Sequence, residues 1–204
     1  MEFDELALRM TGSAPEVEGS SSTEEAVQIL KRAIAGDRVA FDEILLRYER
    51  RVLMTAWRLL GRREDAQDAA QEVFLRLYRY MHHFDEKRAL LPWLYRMTVN
   101  VCHDLHRKRR HDDALAAGEV DWARLAYDPA GEITRSEQRR IIEAALETLA
   151  EKERAAVVLR DIEGLATKDV AGVLGSSEAT VRSQISMARV KIRKFVDRLE
   201  KKHS

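Results

Sequence analysis

The sequence predicts an all-α protein in which two helical domains are joined by a flexible linker. Three observations carry this. Apolar residues recur at spacings of three and four along most of the chain, and alternating strand patterns are absent. Thr167 to Arg193 divides into two helices around Gly175-Ser176-Ser177, and two helices joined by a three-residue turn containing glycine have the form of a helix-turn-helix. Finally, a formal net charge of zero hides four blocks: residues 1–26 sum to −6, 27–111 to +7, 112–134 to −5 and 135–204 to +4. Two basic blocks set apart by acidic ones are the electrostatic footprint of two nucleic-acid-binding domains.

The bulk properties agree. A chain of 204 residues holds one or two domains, and 45% hydrophobic content supplies their cores. Only three prolines and nine glycines leave long stretches free to be helical. The single cysteine rules out an intramolecular disulfide. With neither a signal peptide nor a long apolar run, the expectation is a soluble, cytoplasmic protein with no direct membrane insertion.

Residues 1–25 are Ser- and Glu-rich and read as a disordered acidic tail. Ser22-Thr23-Glu24-Glu25 has the pattern of a capping box, with a helix from Ala26 to Ala35 behind it. Gly36 ends that helix and Asp37 can cap the next, Arg38 to Leu60. There Phe41, Leu45, Tyr48, Val52, Ala56 and Leu59 form a continuous apolar stripe, and Gly61 closes the helix. A third helix, Glu64 to about His82, buries Ala66, Ala69, Ala70, Val73, Phe74 and Leu77. Its other side presents Asp65, Asp68, Glu72, Arg76 and Arg79, acids first and bases last, as the helix dipole favours. That order suits a purely structural helix as well as a docking face.

His83 to Ala89 reads as a polar loop, and Pro92 suits the first turn of a fourth helix. The apolar side of that helix is Leu94, Met97, Thr98, Val101 and Leu105. The other carries Trp93, Arg96, Asn100, His103 and Arg107 and runs into Arg107-Lys108-Arg109-Arg110. Aromatic, amide and guanidinium groups on one face are the parts needed to grip unstacked bases and a phosphate backbone. The alternative is a solvated helix end with Trp93 in the core. The linker is placed at 111–134, too long and too interrupted for a loop inside a compact domain, with Trp122 and Leu125 suggesting that it docks on something.

Ile133 to Thr148 and Glu151 to Ile162 read as two more helices, the first with Ile141, Ile142, Ala145, Leu146 and Leu149 apolar, the second burying Ala155, Val158, Leu159 and Ile162. Gly164 separates them from the helix-turn-helix, Thr167 to Leu174 and Glu178 to Arg193. The second of these has Val181, Ile185, Ala188 and Ile192 on its apolar side. Its opposite face carries Arg182, Ser183, Ser186, Met187, Arg189 and Lys191, donors for base edges and cations for phosphates. An ordinary αα-hairpin with a solvated basic face is the competing reading.

Cys102 and His106 stand four apart on one helix, but a closed structural zinc site needs four ligands, and Cys102 reads better as a small residue near the core. No glycine-rich phosphate loop, nucleophile elbow or placed carboxylate pair is present in the sequence. The expectation is a protein that is no enzyme, with no cofactor and no metal.

Two segments bring a family into view. Asp65 to Arg79 (DAQDAAQEVFLRLYR) followed by Pro92 to Asn100 (PWLYRMTVN) closely resembles region 2 of extracytoplasmic-function bacterial sigma factors, group 4 of the sigma-70 family. Leu149 to Arg160, and Gly164 to Ser183, resemble their region 4. The resemblance covers about residues 27–110 and 135–196. It assigns 26–110 to region 2 (core polymerase and −10 binding), 111–134 to the linker and 135–204 to region 4 (−35 binding).

The resemblance implies an alternative sigma factor that binds core RNA polymerase through the β′ clamp helices and the β flap, directs it to promoter DNA and opens the −10 element. Asp65, Asp68, Gln71, Glu72 and Arg76 would dock on the clamp helices. His83, Asp85, Lys87, Arg88, Arg96, Asn100 and Arg107 would melt and hold the −10 strand, in keeping with the physics of single-strand capture. Thr180, Arg182, Ser183, Ser186, Met187 and Arg189 would read the −35 duplex in the major groove. The linker would thread towards the RNA exit path. Members of the group are commonly held inactive by an anti-sigma factor. Four positions depart from the family pattern: Ala150 stands where proline is usual, Ala179 where glycine is common, and Gln184 and Met187 where arginine is frequent.

Two other classes compete. A helix-turn-helix repressor or activator would need a ligand pocket or dimer interface within 27–110, and would not require the Asp65–Arg79 face together with the Trp93–Asn100 segment. An enzyme with an appended DNA-binding domain lacks a catalytic constellation.

Overall fold

The computed structural model describes residues 20–112 and 135–203. The tail through residue 19 and the linker from 113 to 134, with Trp122 and Leu125, lie outside the described residues. Within them all regular structure is helical: α1 (Ser20–Ile34), α2 (Arg38–Leu60), α3 (Arg63–Tyr80), a 3₁₀ turn (Met81–His83), α4 (Leu90–Asp112), α5 (Arg135–Glu147), α6 (Glu151–Val157), a π turn (Val158–Ile162), α7 (Thr167–Leu174) and α8 (Glu178–His203). The chain divides into two compact units at residue 110, one built on α1–α4 and the other on α5–α8.

In the first unit the stripe of α2 meets those of α3 and α4. Ile44, Tyr48, Val52, Val73, Leu77 and Leu94 are fully buried. Thr98, also buried, donates its hydroxyl to the Leu94 carbonyl at 2.9 Å, which satisfies a polar atom that apolar surroundings would otherwise penalise. Cys102 is buried in the same core, as its apolar neighbours foretell.

α1 starts at Ser20, upstream of the expected capping box. Ser22 does not cap. Its hydroxyl and carbonyl accept from the Arg47 guanidinium at 2.7 and 3.3 Å, and Glu25 accepts at 3.0 Å, so these residues anchor α1 to α2. Tertiary hydrogen bonds thereby extend the helix into a stretch that local chemistry assigns to a start signal.

Asp37 does cap α2, accepting from the Ala40 N–H at 3.1 Å, while its other oxygen accepts from Arg32 at 2.7 Å. At the far end Gly61 takes φ of 73°, a conformation that favours glycine, and donates to the Trp57 carbonyl at 2.7 Å. The Arg32 and Ala40 hydrogen bonds hold the Asp37 carboxyl below its ordinary pKa. A depressed folded pKa contributes stability that is present at neutral pH and lost as pH falls through that lowered value. Asp37→Asn keeps a capping oxygen but not the charge. It should melt below wild type at neutral pH, the gap closing in acid. Thermal melts followed from neutral into acid pH check this, and a gap that stays constant would refute the assigned charge effect.

In the second unit α5, α6 and the carboxyl-terminal half of α8 close over Leu146, Val158, Leu159 and Phe195, each buried. Arg154 donates to the carbonyls of Glu147 and Leu149 at 3.0 and 3.3 Å, stitching the end of α5 to α6, and burial pulls its pKa down. The expected single helix from Glu151 to Ile162 is instead α6 followed by a π turn, closed by the Glu163 N–H on the Val158 carbonyl at 2.9 Å. α8 runs past the expected Arg193 to His203, because Phe195 and Leu199 continue its buried stripe.

Candidate nucleic-acid interface

The helix-turn-helix forms as its punctuation implies. Gly175 turns at φ of 59°, with open space where a Cβ would stand, so backbone conformation rather than crowding is what favours glycine there. Of the two serines able to cap α8, Ser177 does so: its Oγ accepts from the Thr180 N–H at 3.1 Å and lies 2.8 Å from the Thr180 hydroxyl. Val181, Ile185, Ala188 and Ile192 are buried, which leaves Thr180, Ser183, Ser186 and Met187 exposed on the other side.

Three cations of α8, Arg182, Arg189 and Lys191, lie on its flanks. Arg182 reaches back to Glu178 at 2.6 Å. Arg189, expected on the DNA side, makes a two-pronged bridge to Asp161 at 2.7 and 3.0 Å, and that carboxylate is only 5% exposed. The π turn carries Asp161 to this position. Lys191 binds both oxygens of Glu153 at 2.7 and 2.8 Å. Glu153, itself buried, also accepts from the Ala150 N–H at 3.1 Å. Ala150 has φ of −61°, a value proline would adopt, but alanine keeps the N–H that Glu153 uses. Gln184 is buried on the core side of α8, so its departure from the arginine pattern does not alter the exposed face.

In the first unit the five residues expected to form one docking face divide among three directions. Asp65 and Arg76 turn towards α4: Asp65 pairs with Arg109, and Arg76 reaches Asp104 at 3.6 Å while holding Glu72 of its own helix at 2.7 Å. Asp68 is exposed. Gln71 is exposed on the opposite flank, at the rim of a groove of about 750 Å³ between α2 and α3. Phe41, Leu45, Leu46, Phe74, Leu75 and Tyr78 make its apolar lining. Leu46 is 80% exposed and Tyr78 58%. Sequence reasoning missed this groove. The available signal was Leu46, Leu75 and Tyr78, apolar residues lying off the buried stripes.

The loop after α3 is folded by Asp85. One oxygen accepts from the Lys87 N–H at 3.1 Å and the other from Arg88 Nε at 3.2 Å, an Asx-type turn. Glu86 ties the loop to Lys31 of α1 at 2.8 Å. Phe84 stacks obliquely on Trp93, ring centroids 5.1 Å apart, with both rings half-buried against the core. Trp93 therefore braces the loop rather than standing free to stack on a base. His83, Lys87 and Arg88 stay exposed, as do Arg96, Asn100 and Arg107 along α4, Arg107 with Asp104 at 3.3 Å. A folded polar loop beside an amide and guanidinium helix face can hold a single strand by its backbone and bases.

Among the described residues no cluster of three or more potential ligands could hold a metal, and no helix is long and apolar enough to cross a membrane.

Comparison with known proteins supplies context for both units. The family profile "Sigma-70 region 2" matches residues 44–111, and "Sigma-70, region 4" matches residues 139–192. The chain is 32% identical to the RNA polymerase sigma-H factor of Pseudomonas aeruginosa, over 86% of this chain and 96% of that protein. It is 33% identical to the ECF RNA polymerase sigma factor SigM of Mycobacterium tuberculosis, over 83% of each chain. The solved structure of CnrH in complex with the cytosolic domain of CnrY is similar with a TM-score of 0.64 and 25% identity, over 84% of this chain and 96% of that one.

Proposed function

Because the chain belongs to the extracytoplasmic-function group of the sigma-70 family, whose regions 2 and 4 serve promoter-directed transcription initiation, we propose how its two units divide that task. The α1–α4 unit binds core polymerase and captures the −10 strand, and the α5–α8 unit binds the −35 duplex. The protein makes and breaks no bond. It contributes binding energy that selects and opens DNA, and it works in the cytoplasm, where polymerase is.

Core polymerase docks its β′ clamp helices on Asp68, Gln71 and the adjoining α2–α3 groove, with Asp65, Glu72 and Arg76 holding α3 against α4 behind that surface. The exposed residues of the loop, His83, Lys87 and Arg88, and Arg96, Asn100 and Arg107 of α4, hold the separated −10 strand, while Asp85 shapes the loop. Thr180, Arg182, Ser183, Ser186 and Met187 enter the major groove, and Arg189 sets the helix in place through Asp161. The observation that carries this reading is the capped helix-turn-helix in one unit combined with a polar loop beside a guanidinium and amide face of α4 in the other. An anti-sigma factor completes it: such proteins commonly silence members of this group, and the α2–α3 groove is a surface one would cover.

The test is permanganate footprinting of unpaired thymines on a promoter library, with and without bacterial core polymerase. Melting that depends on polymerase is the expected result. Duplex binding without polymerase and without melting would support a repressor instead. Within the same assay Asn100→Ala should reduce melting about tenfold, the loss of roughly one hydrogen bond to a captured base at ~1.4 kcal/mol. Closed-complex affinity should hardly change, and equal loss in both would assign Asn100 to folding.

A further inference from the structure

We propose that Met187, with Val190 beside it, reads the 5-methyl group of a thymine in the major groove of the promoter duplex. The inference deepens the assignment of α8 as recognition helix and rests on it.

At about 100° per residue, Thr180, Ser183, Ser186, Met187 and Val190 share an arc of roughly 120°, directly opposite the buried Val181, Ile185, Ala188 and Ile192. From Thr180 to Met187 the helix rises about 10 Å, which fits a major groove about 12 Å wide. This strip holds three hydroxyls, two apolar side chains and no charge. Met187 is 47% exposed and Val190 51%, apolar groups three residues apart on the solvent side of a polar helix.

Between Thr180 and Val190 no cation fills the strip, and Lys194 follows on the same arc one turn later. Arg182, Arg189 and Lys191 lie on the flanks, and each faces a carboxylate of this unit, Glu178, Asp161 and Glu153. The centre of α8 thus offers no guanidinium fork to a guanine. Of the four base pairs, only those with thymine place a methyl group in the major groove, and apolar side chains are what contact it. Methionine suits this contact because it is unbranched and polarizable. The hydroxyls of Ser183 and Ser186 can donate to or accept from the adjoining base edges.

Uracil lacks only the methyl group, so a thymine-to-uracil scan of the −35 element isolates the contact. The full chain is bound to core polymerase, and affinities for the substituted duplexes are measured by competition. One substitution should weaken binding about fourfold in the native protein, equivalent to ~0.8 kcal/mol for a buried methyl group. In Met187→Ala the same substitution should have almost no effect. Met187→Arg should shift preference at that position from thymine to guanine and steepen the salt dependence of log affinity by about one.

A flat scan in the native protein, with the −35 duplex still protected in a footprint, overturns the inference alone. So does an undiminished thymine step in Met187→Ala. Weakened polymerase binding by Met187→Ala with an unchanged scan would assign the strip to a protein contact, which also overturns it. Absence of any −35 protection would overturn the recognition-helix assignment and this inference together.

Discussion

Glu153→Ala should lower the melting temperature of the α5–α8 unit by about 10 °C and weaken −35 recognition with it. The Glu153 carboxylate is 9% exposed and joins three elements: the N–H of Ala150 ahead of α6, α6 itself and Lys191 on α8. Truncation leaves the Ala150 N–H without that acceptor and frees α8 at its midpoint. Hydrogen bonds to a charged group contribute about 1.5–3 kcal/mol, more than neutral ones. Lys191 is half-exposed and regains water, which keeps the loss below the 3–5 kcal/mol expected when a fully buried pair is broken. About 2 kcal/mol in a unit of this size corresponds to a shift of roughly 8–16 °C. Scanning calorimetry should show the transition of the α5–α8 unit displaced and that of α1–α4 unmoved. Glu153→Gln, which keeps an acceptor for Ala150, should recover part of the shift. An unmoved transition in Glu153→Ala would mean that the carboxylate does not brace the recognition helix.

Asp68→Lys should weaken core polymerase binding about 30-fold, or ~2 kcal/mol, the scale of an interface hot spot. Asp68 is exposed on α3, so its replacement should leave the melting temperature within about 2 °C, as surface substitutions usually do. Asp65→Ala is the informative partner. Its carboxylate is 20% exposed and paired with Arg109, so its loss should destabilise the α1–α4 unit while affecting polymerase less per degree of stability lost. Equilibrium binding to core polymerase, read beside thermal melts, separates the two. If Asp65→Ala abolished polymerase binding at unchanged stability and Asp68→Lys did nothing, the docking surface would have to be moved to the α4 side of α3.

The helices themselves were legible. α2 begins and ends where Asp37 and Gly61 punctuate it, and α7 and α8 part at Gly175 as the turn residues require. Less legible was anything on a flank. Asp65, Asp68, Gln71, Glu72 and Arg76 look equivalent in a periodic pattern, yet Asp65 and Arg76 reach α4, Glu72 is held by Arg76, Asp68 is exposed and Gln71 edges a groove. Trp93 divides in the same way: its position on the polar side of α4 invites a role in base stacking, and Phe84 takes it for the loop instead.

By itself the sequence determined the fold class, the order of helices and the helix-turn-helix, because all three rest on local punctuation and on spacing along one chain; the family came from the resemblance of its region 2 and region 4 segments to known motifs. Only the tertiary structure decided which charged residues are bound inward. Arg189 on Asp161, Lys191 on Glu153 and Arg109 on Asp65 are pairs between residues 28 to 44 positions apart. The physical reason is that a helix period specifies the direction of the buried stripe but not of the sides next to it. A side chain about 90° from the stripe can meet either water or a neighbouring helix, and packing alone chooses.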